Sequence, residues 1–167
     1  MNEASGSKWI GRSVERLEDP PLVTGRGQFA ADINFPNQVH MRVVRSQVAH
    51  GRIRRIDAAA AKALPGVVAV WTAADIADIP PVDFREGPIP ALAPYRQPVL
   101  ATDMVRYVGE PVAAVFAADA YVAEDAADLV EVEIEELPAL LSAEAAPGEF
   151  APGHSTEAAL LRQGYGD

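Results

Sequence analysis

Histidine, serine and carboxylate side chains are the groups in this sequence whose types could support catalysis or metal binding. The three histidines, His40, His50 and His154, have no second histidine or carboxylate at i+3 or i+4 on a convincing helix, so the spacing of a zinc site is absent. No serine lies in a G-x-S-x-G elbow, and the chain has no cysteine to act as nucleophile or thiolate ligand. The residues therefore predict no active site of their own.

The carboxylates are plentiful, but most of them are arranged as exposed faces. Glu131, Glu133 and Glu135 alternate with apolar residues, which places them on one side of a strand. Asp119 precedes a helical pattern and suits the positive end of a helix dipole. Both patterns are typical of solvated surfaces rather than of an acid/base pair.

Glu110 has a different setting from the other carboxylates. It lies in a Gly109-Glu110-Pro111 corner directly before an apolar strand, beside Arg106 and Tyr107. Loops at strand ends often carry function, which makes this corner a candidate site. The alternative is that Glu110 pairs with a nearby arginine or caps a backbone group.

Size and composition indicate one globular domain. The 167 residues, 49% of them hydrophobic, can bury a core without disulfides. No window of 18 uninterrupted apolar residues predicts a membrane span, and the opening MNEASGSKWIGRS lacks the apolar stretch of a secretory signal. These features fit a cytoplasmic location.

Charge is distributed unevenly along the chain. Residues 1–62 carry 10 Lys and Arg against 6 Asp and Glu, whereas residues 63–167 carry 4 against 18, for a net charge of −10. An acidic body disfavours non-specific binding to nucleic acid, because phosphates need neutralising cations. The short basic cluster Arg52, Arg54 and Arg55 fits a solvated face or one that meets an acidic partner surface.

The clearest structural pattern runs from Val105 to Leu141. Pro111–Ala117 is an apolar strand, Asp119–Leu129 has helical spacing, and a period of two begins at Val130. A connection of this length favours two parallel strands in one sheet, joined by a right-handed crossover.

A smaller strand–helix–strand unit precedes it. Val39–Ser46 predicts a first strand, and Arg52–Ile56 a second. Asp57 is then placed as the N-cap of a helix over Ala58–Leu64, which is followed by a strand of buried type at Val67–Trp71.

The remaining segments lack helix or strand patterns. Ile79–Pro98 contains six prolines and cannot be a helix or a central strand. A long ordered loop of this kind is usually a binding or docking excursion, and otherwise a mobile surface segment. We expect a flexible lead-in over residues 1–13, the folded domain over 14–146, and an extended C-terminal arm over 147–167.

Three segments form patterns that recur together in one protein family. The first follows R-x-E-D-x-x-L-x-T-G-x-G-x-[FY]-x-x-D-I, and the second follows R-S-x-x-A-H-A-x-I-x-x-I-D…A-x-x-x-P-G-V-x-A-V, with Gly51 at the small residue after the histidine. The third is VRYVGEPVAAVFAADAYVAEDAADLVEVEIEELPAL. The matching residues of the first two are Arg16, Glu18, Asp19, Leu22, Thr24, Gly25, Gly27, Phe29, Asp32, Arg45, Ser46, Ala49, His50, Ile53, Ile56, Asp57, Pro65, Gly66 and Val70.

Over roughly residues 10–167 the chain resembles the α/β hammerhead domain that opens the molybdenum-binding large subunits of the xanthine dehydrogenase, aldehyde oxidase and aerobic carbon monoxide dehydrogenase family. The resemblance implies an α+β fold, the α/β hammerhead, with strand–helix–strand units and extended N- and C-terminal arms. In the family, two molybdopterin-binding domains follow and carry a glycine-rich G-G-F-G-type loop and a glutamate base. No such loop occurs here. The resemblance therefore implies that this chain holds no catalytic, cofactor-binding or metal residue.

The resemblance implies instead a hammerhead subunit, as part of a split large subunit, in a heteromeric molybdenum hydroxylase that oxidises an aldehyde, an N-heterocycle or a similar small substrate. Its complex is expected to contain molybdopterin in the cytosine dinucleotide form, 2Fe-2S clusters and FAD. The expected partners are a molybdenum-binding, an iron–sulfur and a flavin subunit. We expect Arg106, Tyr107, Gly109 and Glu110 to form a subunit contact, with the proline-rich segment and C-terminal arm as docking pieces.

Two alternatives stay open at this point. The sequence ends at Gly164-Tyr165-Gly166-Asp167, where the family's Gly-Asp precedes the molybdenum domain, so the chain is either a natural split subunit or a trimmed piece. The starting methionine favours the split. The other alternative is a free-standing binding, assembly or maturation module that has the hammerhead fold.

Overall fold

The computed structural model describes residues 10–11, 13–85, 89–158 and 164–166. The chain divides into two compact units, Met1–Gln38 and Val39–Asp167. The boundaries that the sequence suggests after residues 13 and 146 stay predictions, and the lead-in falls almost wholly outside the described residues.

The described residues contain three α-helices, three short 3-10 helices and eight strands. The α-helices are α1 (Asp19–Val23), α2 (Ala59–Ala63) and α3 (Ala120–Asp128), and the 3-10 helices are Ala30–Asp32, Ala73–Ile76 and Pro90–Tyr95. The strands are β1 (His40–Arg45), β2 (Gly51–Asp57), β3 (Val67–Thr72), β4 (Met104–Val105), β5 (Pro111–Ala117), β6 (Glu131–Glu136), β7 (Glu149–Ala151) and β8 (His154–Ser155). Among these elements, no helix has the length and hydropathy that a bilayer crossing requires.

The N-terminal unit contains α1 and a 3-10 helix, and none of its described residues is buried. Pro20 and Pro21 lie in the first turn of α1, where a missing N–H removes no helical hydrogen bond. Several of its apolar side chains, including Leu17, Val23 and Phe29, are exposed. The described residues of this unit therefore form no core of their own that could stabilise it.

The larger unit contains two three-stranded antiparallel sheets and the two-stranded sheet of β7 and β8. Sheet A has the order β1-β5-β3, and sheet B has the order β4-β2-β6. The sequence predicts that β5 and β6 are parallel in one sheet. They lie in different sheets, so that prediction is wrong. Both edges of β5 are filled, by β1 and by β3, which leaves no edge for β6; α3 carries the chain to sheet B, where β6 pairs with β2.

The smaller strand–helix–strand unit crosses between the sheets in the opposite direction, because β2 belongs to sheet B and β3 to sheet A. The N-cap of α2 is Ala58 and not Asp57 as predicted, because the helix begins one residue later than expected; Asp57 still accepts a hydrogen bond from Ala59 N at 2.9 Å. The prediction of a buried β3 is wrong. Val70 is its buried residue, and Val68 and Trp71 are exposed because β3 is an edge strand.

The main core lies between sheet A and the helices α2 and α3. Its fully buried members include Ala61 on α2, Ala126 on α3 and Val115 on β5. Asp119 caps α3 by accepting hydrogen bonds from Tyr121 N at 2.8 Å and Val122 N at 3.3 Å. A second cluster of Ala101, Val105 and Val112 packs against residues of both sheets.

The proline-rich segment is held at its base and contains a helix. Val82 pairs with Gln97, and Arg96 Nε lies 3.0 Å from Asp83 Oδ1. Pro90–Tyr95 forms a 3-10 helix, so the expectation that this segment has no helix is wrong for these residues. A short 3-10 helix needs few N–H donors, and it therefore tolerates Pro94.

The C-terminal segment contains the hairpin of β7 and β8 and contacts the proline-rich segment. Tyr95 Oη donates a hydrogen bond to Ser155 O at 2.6 Å, and the rings of Tyr95 and His154 meet edge to face at 6.2 Å. The two segments that the sequence suggests as docking pieces therefore lie together.

Candidate functional site

The turn between β4 and β5 contains the four residues proposed from the sequence as a subunit contact. Tyr107 is exposed, Arg106 and Gly109 are partly buried, and Glu110 is only 1% exposed. Gly109 has a φ of +92°, a backbone conformation that residues other than glycine rarely adopt. The structure brings the four residues together, while their contact with another subunit stays a prediction.

Glu110 holds this turn from the inside. Its Oε2 accepts a hydrogen bond from Arg106 N, and its backbone oxygen accepts one from Ser46 N at 2.9 Å. Its Oε1 is buried and has no hydrogen-bond partner among the described residues. The structure therefore shows the backbone-capping role that was the alternative interpretation of Glu110.

The end of β1 is fastened to the same turn. Gly109 N donates to Ser46 O at 2.8 Å, and Arg45 Nη1 donates to Gly109 O at 2.8 Å. The buried Ser46 hydroxyl donates to Val48 O at 2.8 Å and accepts from Val48 N at 3.0 Å. The sequence does not predict that Ser46 fastens β1 to the turn, although Arg45 and Ser46 begin the second of the three recurring patterns.

Burial raises the pKa of Glu110 above its ordinary value of 4.5, although the hydrogen bond from Arg106 N and the Arg106 charge act in the opposite direction. Between pH 4.5 and the raised pKa, the folded chain holds the Glu110 proton more tightly than the unfolded chain does. Stability from Glu110 is therefore fully present below pH 4.5 and is lost as the pH rises through the raised pKa.

We expect the free energy of unfolding of the wild-type chain to fall, relative to that of Glu110→Gln, as the pH rises through this window. The glutamine cannot titrate, and the other carboxylates are common to both proteins, so their effects cancel. Urea unfolding of both proteins across a pH series measures the difference. Two curves that stay parallel at all pH values would contradict a raised Glu110 pKa.

A groove of about 870 Å³ adjoins the turn. Its wall is mainly apolar and includes the exposed side chains of Val108, Leu140 and Leu141. The full lining consists of Ala49, His50, Arg106, Tyr107, Val108, Leu137, Pro138, Ala139, Leu140, Leu141, Gly148, Glu149 and Thr156. The groove thus places two of the expected contact residues, Arg106 and Tyr107, beside the start of the C-terminal segment.

Some polar groups of the groove have partners within the chain. His50 Nδ1 lies 2.8 Å from Pro138 O, and His50 O accepts a hydrogen bond from Leu137 N at 2.9 Å. Tyr107 Oη is hydrogen-bonded to Gln97 Nε2, which connects the turn with the proline-rich segment. These bonds fix the shape of the groove and leave its apolar side chains as the exposed feature.

Neither the candidate metal ligands nor the basic cluster forms a binding site among the described residues. Over the described ranges, no group of three or more His, Cys, Asp or Glu side chains is placed to hold a metal ion. In the basic cluster, Arg54 pairs with Glu135 and Arg55 pairs with Asp57. The acidic face that meets this cluster is therefore partly β6 of the same chain. Such exposed pairs contribute at most about 1 kcal/mol each.

Comparison with known proteins identifies the family to which this fold belongs. Residues 24–138 match the family described as aldehyde oxidase and xanthine dehydrogenase, a/b hammerhead domain. The chain is 44% identical, over 99% of its length, to the 6-hydroxypseudooxynicotine dehydrogenase complex subunit gamma of Paenarthrobacter nicotinovorans, and it covers 22% of that protein. It is 43% identical, over 79% of its length, to the carbon monoxide dehydrogenase large chain of Afipia carboxidovorans, of which it covers 16%.

A solved structure gives the same result. Quinoline 2-oxidoreductase from Pseudomonas putida 86 matches 77% of this chain with a TM-score of 0.63 and 45% identity, and the match covers 16% of that structure's chain. The chain spans about a fifth of the length of the curated relatives it matches. The mixed α/β fold with antiparallel sheets agrees with the expected fold class. The chain belongs to the aldehyde oxidase and xanthine dehydrogenase family, of which it forms the α/β hammerhead domain.

Proposed function

We propose that this chain is the hammerhead part of a heteromeric molybdenum hydroxylase, in which it docks onto a molybdenum-binding polypeptide that carries the active site. The observation that carries the proposal is the apolar groove between the β4–β5 turn and the C-terminal segment. Exposed apolar side chains that line a groove are typical of a surface that another chain covers. The relatives support this role, because each of those compared continues well beyond the matched segment.

In this proposal the turn and the groove together form the surface that contacts the partner. Glu110 sets the shape of the turn from inside, and Arg106, Tyr107 and Gly109 form the surface that meets the partner. The proline-rich segment and the C-terminal segment extend this surface, since Tyr95 joins them through Ser155. Assembly therefore depends on apolar contact area rather than on charge.

The complex in this proposal contains molybdopterin in the cytosine dinucleotide form, 2Fe-2S clusters and FAD, held by molybdenum-binding, iron–sulfur and flavin subunits. The groove residues do not fit such a group, because their wall is mainly apolar and His50 and Tyr107 are already engaged within the chain. In this proposal the reaction therefore takes place on the partner polypeptide. The substrate in this proposal is an aldehyde, an N-heterocycle or a similar small molecule; among the relatives compared, the name quinoline 2-oxidoreductase supports an N-heterocycle.

The test is to isolate the tagged chain from its native source and to measure molybdenum, iron and flavin in the recovered material. We expect a stable complex with one molybdenum-binding polypeptide per tagged chain. Recovery of the chain alone, as a monomer, would contradict the proposal. Transient association with an assembled enzyme that lacks this chain would favour an assembly or maturation module instead.

A groove variant makes the test specific. Leu141 is 87% exposed, so Leu141→Lys leaves the fold of the isolated chain intact but places a charge in the groove. We expect this variant to recover less molybdenum per tagged chain than the wild type. Glu144→Lys, at an exposed position outside the groove lining, is the matched control and recovers as much as the wild type.

A further inference from the structure

One face of sheet A is apolar and is not covered by α2 or α3. Successive strand residues point to opposite faces, and Val70, Ala113 and Val115 point into the main core. The residues paired across the strands on the opposite side form the outer face: Met41, Val43, Ala69, Trp71, Ala114 and Phe116. All six side chains are apolar.

The outer face includes large exposed side chains. Met41 is 58% exposed and Trp71 is 45% exposed, and the rings of Trp71 and Phe116 pack with their centroids 4.6 Å apart. An antiparallel sheet that packs one face on a core usually presents polar side chains on its other face. The outer face of sheet A breaks this rule and has the composition of a second buried face.

The neighbouring edge of the sheet shows the same property. The strand β3 pairs only with β5 among the described residues, so its other edge is open. Its own sequence, Val67–Thr72, contains no charge and no proline, and Val68 is 64% exposed. Lys62 and Asp75 lie beside the strand but belong to the neighbouring helices. Soluble proteins usually protect such edges with lysine, proline or a covering segment. The edge strand β1, in contrast, carries Arg42 and Arg45.

We propose that the outer face and the β3 edge are a permanent interface with the polypeptide that carries the molybdenum-binding domains. This inference rests on the proposed function and assigns a second surface to the same partner. Permanent interfaces resemble a domain core cut in half, and a face without any polar side chain has that character. In the relatives compared, the matched segment makes up only 16% to 22% of the chain. The remaining residues of such a polypeptide are numerous enough to cover the outer face.

A second copy of this chain is a poorer occupant. Ala114 is buried and Val43, Ala69 and Phe116 are partly buried, so the area that this face still exposes falls well short of the ~800 Å² per partner that a stable interface buries. Two copies joined through the outer face would therefore form a weak contact. A larger partner can cover this face together with the groove, and so reach the area that permanent association requires.

The test uses the tagged full chain, expressed in its native source as wild type, Met41→Lys or Trp71→Lys. We expect each variant to lose at least ten-fold in the molybdenum retained per tagged chain after washing, because burying an unpaired ammonium is costly. Tyr121→Lys is the matched control. Tyr121 is 79% exposed on α3, which packs on the other side of sheet A, and its variant retains molybdenum as the wild type does.

Melting curves of the purified variants separate folding from docking. Met41 and Trp71 are exposed in the isolated chain, so both variants are expected to melt close to the wild type. If Trp71→Lys melts at a lower temperature, the molybdenum retained by Met41→Lys is the result that tests the interface. Wild-type retention by the folded variants would overturn the inference while leaving the proposed function standing. Failure of the wild-type chain itself to retain molybdenum would overturn both. A wild-type dimer that either variant makes monomeric would show that a second copy occupies the face, and would also overturn the inference.

Discussion

Replacing Glu110 with alanine is expected to lower the free energy of unfolding by about 2–4 kcal/mol. The substitution deletes the acceptor of the Arg106 N–H and leaves a cavity beside the turn that connects β4, β5 and the end of β1. It also removes a buried carboxylate whose charged form is disfavoured, which offsets part of the loss. The lost hydrogen bond and the cavity act together, so we expect them to exceed this offset.

Urea unfolding at neutral pH measures the effect, and two variants control it. Glu110→Gln retains an oxygen acceptor and most of the side-chain volume, so it is expected to cost less than the alanine. Glu133→Ala removes an exposed glutamate from β6 and should stay within about 0.5 kcal/mol of the wild type. If Glu110→Ala unfolds like the wild type but fails to join the complex, the residue acts at the subunit contact rather than inside the turn.

Replacing Ala126 with aspartate is expected to lower the free energy of unfolding by about 3–5 kcal/mol. Ala126 is fully buried on α3, where the helix packs against sheet A together with Ala61 of α2. The cluster around it is apolar, so an aspartate there finds no hydrogen-bond donor and either stays buried and charged or forces α3 away. Because small domains are stable by only about 5–15 kcal/mol, this substitution removes a large fraction of the stability of the chain.

The control places the same substitution at an exposed position of the same helix. Ala120 lies in the first turn of α3, where an added negative charge is favourable to the helix dipole. Ala120→Asp is therefore expected to melt within a few degrees of the wild type. Equal melting temperatures for the two variants would contradict the packing of α3 against the core.

Local periodicity predicts the elements of this fold well but does not predict their partners. The run Pro111–Ala117 and the alternation after Val130 both form strands, and Asp119 caps the intervening helix. Strand pairing is decided by residues far away in the sequence, such as those of β1 and β2, and no local pattern reports them. The prediction that β5 and β6 are parallel neighbours is wrong for this reason.

The candidate site was only partly predictable. The sequence identified the Gly109-Glu110 corner, but the cap of Glu110 on Arg106 N depends on the turn geometry that Gly109 permits. The groove depends on Leu137–Leu141, which shows no pattern beyond its apolar composition. The apolar outer face was hidden because an uninterrupted apolar strand such as β5 predicts burial on both faces without showing what covers the second one.

The crossed connection of the two sheets has a consequence during synthesis. His40 pairs with Ala117 and Gly51 pairs with Glu136, so both sheets join strands from distant parts of the chain. When α2 has left the ribosome, β1 and β2 still lack their partners, and sheet A has no central strand until β5 emerges. Folds dominated by such non-local pairs form slowly and expose apolar strands in the meantime. For this chain, completion of the acidic C-terminal half is the event that permits folding.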